Sequence, residues 1–221
     1  MSSFANVTDR LIEFATEGSS YIFCHANKQY IPFPTKISRC KVLKPLEKLV
    51  LIELLFCFGE NNYAYPSLEL LADRLNVDDK TISGHLKKLV EKNFITISHR
   101  PNRVNYYYIK WLECNPYIIL SETAHWYMNT VQTRDIPKKD LHCEMLKVVS
   151  AICNSKEYDN LINDLCSAIE GIEEGSIEKR EYYSNKWEDN ILKFITTLNN
   201  AFVNTFGSKI RPVNTDTVFG C

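Results

Sequence analysis

The chain has 221 residues, 45% of them hydrophobic, with seven glycines and a formal net charge of −1. It can bury a full core and a second, smaller one, while so neutral a total argues against a nucleic-acid partner unless the charge is unevenly spread. Few glycines leave little material for phosphate-cradling loops, and the longest apolar stretch, Leu49 to Phe58, is interrupted by Glu53 and too short to span a membrane.

Met1 to Ser20 has no basic start followed by an apolar run, so no secretory leader is expected. Within it, Val7 to Thr16 has a short helical pattern with Leu11, Ile12 and Phe14 apolar. Tyr21 to Phe33 alternates as strands do and ends at Pro32-Phe33-Pro34, where a regular ladder cannot continue. A strong helix is predicted over Pro45 to Phe58. Proline suits the first turn, Leu46, Leu49, Val50, Ile52, Leu55 and Phe56 recur at helical spacing, and Gly59 is placed to end it. After a turn at Glu60-Asn61-Asn62, Ser67 can cap a short helix running to Leu75. Asn76-Val77 makes a tight turn, since asparagine tolerates the left-handed region. Asp78 or Asp79 can cap the next helix, which is expected to reach about Lys92. Phe94 to Ser98 and Val104 to Ile109 read as strands around the basic loop Arg100-Pro101-Asn102-Arg103, the order of a wing.

Beyond Asn115-Pro116 the periodicity is helical. Leu141, Met145, Val148, Val149 and Ile152 line one face; Leu161, Leu165, Ile169 and Ile172 line a second; Trp187, Ile191, Ile195, Leu198 and Phe202 form a third. Gly171 to Gly175 and Gly207 punctuate this region, and Arg211 to Cys221 is expected to be loose. The last of these stripes either pairs two copies of the chain or closes a helical domain within one.

Charge divides the chain into three. Residues 20–112 carry fourteen Lys/Arg and eight Asp/Glu, a net +6; residues 1–19 carry −2 and residues 113–221 carry −5. A basic middle beside an acidic tail fits a polyanion-binding module carried with an interaction module.

The segment from Leu71 to Leu89 is the most informative. Two helices that cross at a short turn need a small residue at their contact, which Ala72 supplies, flanked by apolar Leu71 and Leu75. Asn76 follows as the turn residue and Val77 as an inward anchor; Ile82, Leu86 and Leu89 then return to the shared core. With those positions inward, the outward face carries Lys80, Thr81, Ser83, Gly84, Lys87 and Lys88. Hydroxyls, a gap for close backbone approach and cations are what a helix lying in the major groove needs. Arg100, Asn102 and Arg103 of the wing can reach the minor groove or the flanking backbone.

Residues 30–112 resemble the winged helix-turn-helix domains of bacterial, phage and plasmid proteins, both regulators and replication initiators. The resemblance rests on Tyr65-Pro66-Ser67, Leu71-Ala72, Leu75-Asn76-Val77, Thr81-Ile82, Leu86-Lys87-Lys88-Leu89 and Lys92-Asn93-Phe94-Ile95. The sequence departs from it at Asn76 and Asn93, where glycine is commoner, and at the acidic pair Asp78-Asp79, which makes the first turn of the second helix less attractive to phosphate. The resemblance implies a double-stranded DNA partner.

Other chemistries find little support. There is no Cys-x-x-Cys, and His142-Cys143, Cys153 and Cys166 fall mainly on apolar helix faces, so core packing is expected rather than a metal site. The eight cysteines stand singly among apolar residues and are expected to be reduced and mostly buried. Gly-x-x-x-x-Gly-Lys and Gly-x-Gly-x-x-Gly are absent, and His25, His85, His99 and His125 have no catalytic partner spacing. Tyr106, Tyr107 and Tyr108 can stack on bases, although two of the three are expected to brace the wing against the core.

The expected architecture is mainly α with a small β-wing: a helical arm (residues 1–19), a winged helix-turn-helix (20–113) and an acidic helical domain (114–221) for oligomerisation or partner binding. The expected protein is a cytoplasmic, sequence-specific DNA-binding homodimer without cofactor, metal or enzymatic activity. Transcriptional regulation is the first reading. A replication initiator, recruiting replication proteins through the acidic region, and a protein-binding adaptor are the alternatives.

Overall fold

The computed structural model describes residues 35–58, 63–110, 112, 115–134, 137–174, 177–215 and 218. The expected arm, the strand-like segment up to Phe33 and Gly59 lie outside them. Ser19–Asn115 forms one compact unit and Pro116–Cys221 belongs to another.

The described residues of the first unit begin with α1 (Thr35–Arg39), a single turn that the sequence pattern does not announce, followed by α2 (Pro45–Phe56), α3 (Leu68–Leu75) and α4 (Asp79–Glu91). Strands β1 (Ile95–Ser98) and β2 (Tyr106–Ile109) pair antiparallel, with Ile97 opposite Tyr107 and Ser98 opposite Tyr106. Ala64 and Tyr107 exchange backbone hydrogen bonds of 2.9 and 2.8 Å, which adds a third short edge to this hairpin. Each helix has a local reason to start. Ser67 Oγ accepts from Leu70 N–H at 3.1 Å, and Asp78 Oδ1 accepts from Thr81 N–H at 2.8 Å, each satisfying a donor that the first turn leaves open.

Both helices of the helix-turn-helix close on an asparagine. Asn76 (φ 53°) and Asn93 (φ 60°) occupy the left-handed region. Val77 N–H donates to Ala72 O at 3.0 Å and Phe94 N–H to Leu89 O at 2.9 Å, so α3 and α4 both close in the Schellman arrangement. The core beneath them is Ile37, Val50, Leu51, Leu54, Leu71, Ile82, Leu89, Phe94 and Ile95, all buried. Each such side chain contributes about 1.5–3 kcal/mol on leaving water. This half of the chain is a winged helix-turn-helix.

In the second unit, α5 (Pro116–Thr130), α6 (Lys138–Cys153) and α7 (Lys156–Glu174) pack on the thirty-residue α8 (Ile177–Phe206). Trp187, Ile191, Ile195, Leu198 and Phe202 are all fully buried against them. The stripe expected to serve either dimer pairing or domain closure therefore closes this unit's core and is not a free pairing surface. Gly171 does not interrupt α7. It sits inside the helix, where a side chain would run into the Tyr183 ring.

Arg211 is not loose either. β3 (Gln132–Thr133) pairs antiparallel with β4 (Ile210–Arg211), and Asn199 grips the backbone of Val213 through two hydrogen bonds of 2.9 Å. Tyr127 O–H donates to the same Asn199 at 2.8 Å, and burial pushes its phenol pKa up. Of the described cysteines only Cys40 is buried; Cys143 is exposed, two positions past Leu141 and so turned off the inward face of α6.

Candidate nucleic-acid interface

The crossing of α3 and α4 sets which side of α4 remains free. Ala72, the small residue at that crossing, is buried, as are Ile82, Leu86 and Leu89 at intervals of three and four. The opposite side therefore presents Lys80, Ser83, Gly84 and Lys87, all exposed, with half-buried Thr81 and Lys88 on its flanks. The structure brings the six α4 residues singled out from sequence onto one outward strip. A Cβ built at Gly84 meets no atom within 4 Å, so nothing within the fold asks for glycine there.

Two of these side chains have internal engagements. Thr81 O–H donates to Asp78 Oδ2 at 2.8 Å, which leaves the hydroxyl as an acceptor toward any base it faces. The hydrogen bonds from the Thr81 hydroxyl and backbone N–H hold the Asp78 carboxyl below the usual carboxylate range. Lys87 Nζ lies 4.0 Å from Glu91 Oε1, one helical turn on, with 80% of the lysine side chain exposed. A pair so open costs little to exchange for a phosphate.

At the wing tip, Asn102 and Arg103 are exposed and Arg100 is half-buried. Asn102 takes a left-handed conformation (φ 56°), so its residue type also answers a turn requirement. Arg100 lays its guanidinium over the Tyr106 ring, Cζ 4.2 Å from the centroid, and its backbone N–H donates to Asn105 Oδ1 at 3.4 Å.

A buried polar group behind α4 has no counterpart among the residues singled out from sequence. Glu47, in the first turn of α2, has no exposed surface. Its Oε2 accepts from Lys92 Nζ at 2.7 Å and from Lys44 N–H at 3.0 Å. Lys92 also donates to Val42 O at 2.9 Å, and His85 Nδ1 of α4 lies 3.8 Å from Glu47 Oε1. Burial works against the ionised carboxyl, but the Lys92 and Lys44 hydrogen bonds and the neighbouring charges outweigh it and hold the Glu47 pKa below its ordinary value. The carboxylate thus anchors the end of α4 to the start of α2. A lone acid in the first turn of a proline-started helix was the only signal, and Lys92, 45 residues away, gave no local hint. A second tie, Arg74 Nη1 to Glu53 Oε2 at 3.1 Å, joins α3 to α2.

The three wing tyrosines divide differently from expectation. Only Tyr107 packs inward; Tyr106 and Tyr108 point to the opposite side of the sheet, because neighbouring strand residues alternate faces.

That geometry is a helix-turn-helix followed by a two-stranded wing. Residues 41–95 match the family described as a helix-turn-helix domain, a span holding α2, α3, α4 and the first residue of β1. No curated protein and no solved structure matches the chain. Among the described residues, no helix is long and apolar enough to cross a membrane, and no three of His, Cys, Asp and Glu gather as metal ligands.

Proposed function

We propose that the protein binds double-stranded DNA sequence-specifically and regulates transcription in the cytoplasm, without a catalytic step of its own. The observation that carries this reading is the outward strip of α4, where Lys80, Ser83, Gly84 and Lys87 are exposed while Ile82, Leu86 and Leu89 are buried behind them. Laid in the major groove, the strip offers Ser83 and Thr81 to base edges, the gap at Gly84 to a close approach, and the three lysines to phosphates on either side. Arg100, Asn102 and Arg103 of the wing then face the adjoining backbone or minor groove.

One such unit covers a small area, so two copies on a symmetric site are expected. The acidic second unit is the part available to other proteins. Selection of bound duplexes from a random pool tests the reading. A recovered palindrome supports a paired regulator, and recovered direct repeats move the role toward a replication initiator. A pool that never enriches refutes sequence-specific recognition.

A further inference from the structure

The wing sheet has two faces, and only one of them serves the core. Ala64, Tyr107 and Ile95 point inward and are buried. The other face carries Tyr63 and Tyr65 on the edge segment and Tyr106 and Tyr108 on β2. Tyr63 sits at the centre of this group, its ring centroid 4.3 Å from Tyr106, 5.8 Å from Tyr108 and 6.1 Å from Tyr65. Tyr65 is 55% exposed and Tyr108 38% exposed. Four phenol rings on a water-facing sheet face are costly to leave open and contribute nothing to the core on the other side.

Charge decides what such a face takes. Arg100 stacks on Tyr106 at the edge of the group, and Arg103 is exposed on the same loop. From Ile95 to Lys110 the sequence has three Lys/Arg and no Asp or Glu. Aromatic rings beside arginines, with no carboxylate among them, fit bases and phosphates together. Duplex bases are already stacked on their own neighbours, so an open ring can receive only an unpaired base.

We propose that Tyr63, Tyr65, Tyr106 and Tyr108, with Arg100, form a second nucleic-acid site that stacks the unpaired bases of single-stranded DNA. The arginines take its phosphates, and the rings accept any base, because every base has a π-face. The site shares Arg100 with the wing contact to a duplex, but its rings are on a different element from the α4 strip. It extends the DNA-binding reading, yet the two can fail separately.

The test uses the full chain, a labelled oligothymidylate and a labelled random-sequence duplex, with binding followed by fluorescence anisotropy. The unaltered protein binds the oligothymidylate. Tyr65→Ala and Tyr108→Ala each weaken that binding by roughly 5- to 150-fold, the loss of one stacked base, and leave the duplex affinity unchanged. Tyr65→Phe and Tyr108→Phe keep the affinity, since the ring and not the hydroxyl does the stacking. The double variant Lys87→Ala/Lys88→Ala gives the reverse pattern, so a failure of the duplex reading is visible by itself.

Photo-cross-linking of the unaltered protein to an iododeoxyuridine-containing oligothymidylate makes the test independent of how any variant folds. The expected adducts fall on Tyr65 or Tyr108. The proposal is overturned if the oligothymidylate is not bound or if the alanine variants bind it as well as the parent. It is also overturned if the phenylalanine variants lose as much as the alanine ones, or if adducts fall only outside the wing sheet. Sedimentation showing a dimer that Tyr65→Ala or Tyr108→Ala dissolves would assign the face to a second copy of the chain instead.

Discussion

Lys92→Met takes an ammonium away from a carboxylate that has no contact with water, while keeping the length and apolar bulk of the side chain. In the parent, Lys92 Nζ lies 2.7 Å from Glu47 Oε2, and the lysine side chain is 19% exposed against 0% for the glutamate. Removing one member of a buried pair costs about 3–5 kcal/mol, because the other charge stays behind uncompensated. Here Glu47 keeps the Lys44 N–H, and Lys92 is not wholly buried, so the lower end, about 3 kcal/mol, is expected. Adding Glu47→Leu should restore about 1 kcal/mol of that, since neither charge then remains while the Lys44 N–H and the Val42 C=O lose partners at about 1 kcal/mol each.

Native-state amide exchange of α2 and α4 reads the loss in this unit without requiring the whole chain to unfold in one step. The pH dependence fixes the sign. A carboxyl held below its ordinary value of 4.5 adds stability that is present above that value and lost as the pH falls through its folded-state pKa. In Lys92→Met, burial acts with no Lys92 cation opposing it and pushes the Glu47 pKa up. The gap between parent and variant, followed by urea unfolding, is therefore largest near neutrality and shrinks in acid. A loss under about 1 kcal/mol, or a gap that stays constant on acidification, would refute the idea that a buried ion pair anchors α4.

Three further outcomes follow from the same geometry. Gly84→Ala should stabilise α4 by about 1 kcal/mol through helix propensity, because nothing in the fold opposes a methyl there, and should at the same time weaken duplex binding; unchanged binding in an anisotropy titration removes Gly84 from the interface. Lys87→Ala and Lys88→Ala should each lower the slope of log affinity against log salt by roughly 0.9 for every phosphate left without its lysine, on specific and random duplexes alike; an unaltered slope denies them a phosphate role. Asn76→Val forces a β-branched residue into the left-handed turn and should cost about 1–2 kcal/mol in thermal unfolding, whereas Asn76→Gly should be tolerated. Equal losses for the two would mean that side-chain contacts, not φ, hold Asn76.

The helix-turn-helix was legible because its demands are local. A cap, a small residue at a crossing, a left-handed asparagine and three apolar positions at helical spacing lie within Ser67–Leu89, and each is read from neighbours a few residues away. The outward strip of α4 followed from the inward one. What stayed hidden depends on distant partners. Glu47 meets Lys92 only after α2 and α4 pack, and β3 meets β4 far along the chain, Gln132 opposite Arg211. The α8 stripe shows the limit from another side: its periodicity announced a buried face but could not say whether the cover came from the same chain. Tyr106, Tyr107 and Tyr108 were ambiguous because three aromatics in a row mask the alternation that would tell inside from outside.

Charge placement then explains how a chain with a net charge of −1 can carry a DNA-binding surface. Among the cations of the basic region, Lys92 pairs with the buried Glu47 and Arg74 pairs with Glu53 at the surface. Each faces one acid, so the pairs cancel and the +6 excess of residues 20–112 falls on the remaining groups. Lys80 and Lys88 make no ion pair with the other described residues, and Lys87 is held only at 4.0 Å by Glu91. Counterion release depends on phosphates neutralised at the contact, and fields between exposed charges fade over about 8–10 Å in physiological salt. On the proposed reading, affinity for a duplex follows the cations within that distance of each phosphate, those of α4 and the wing.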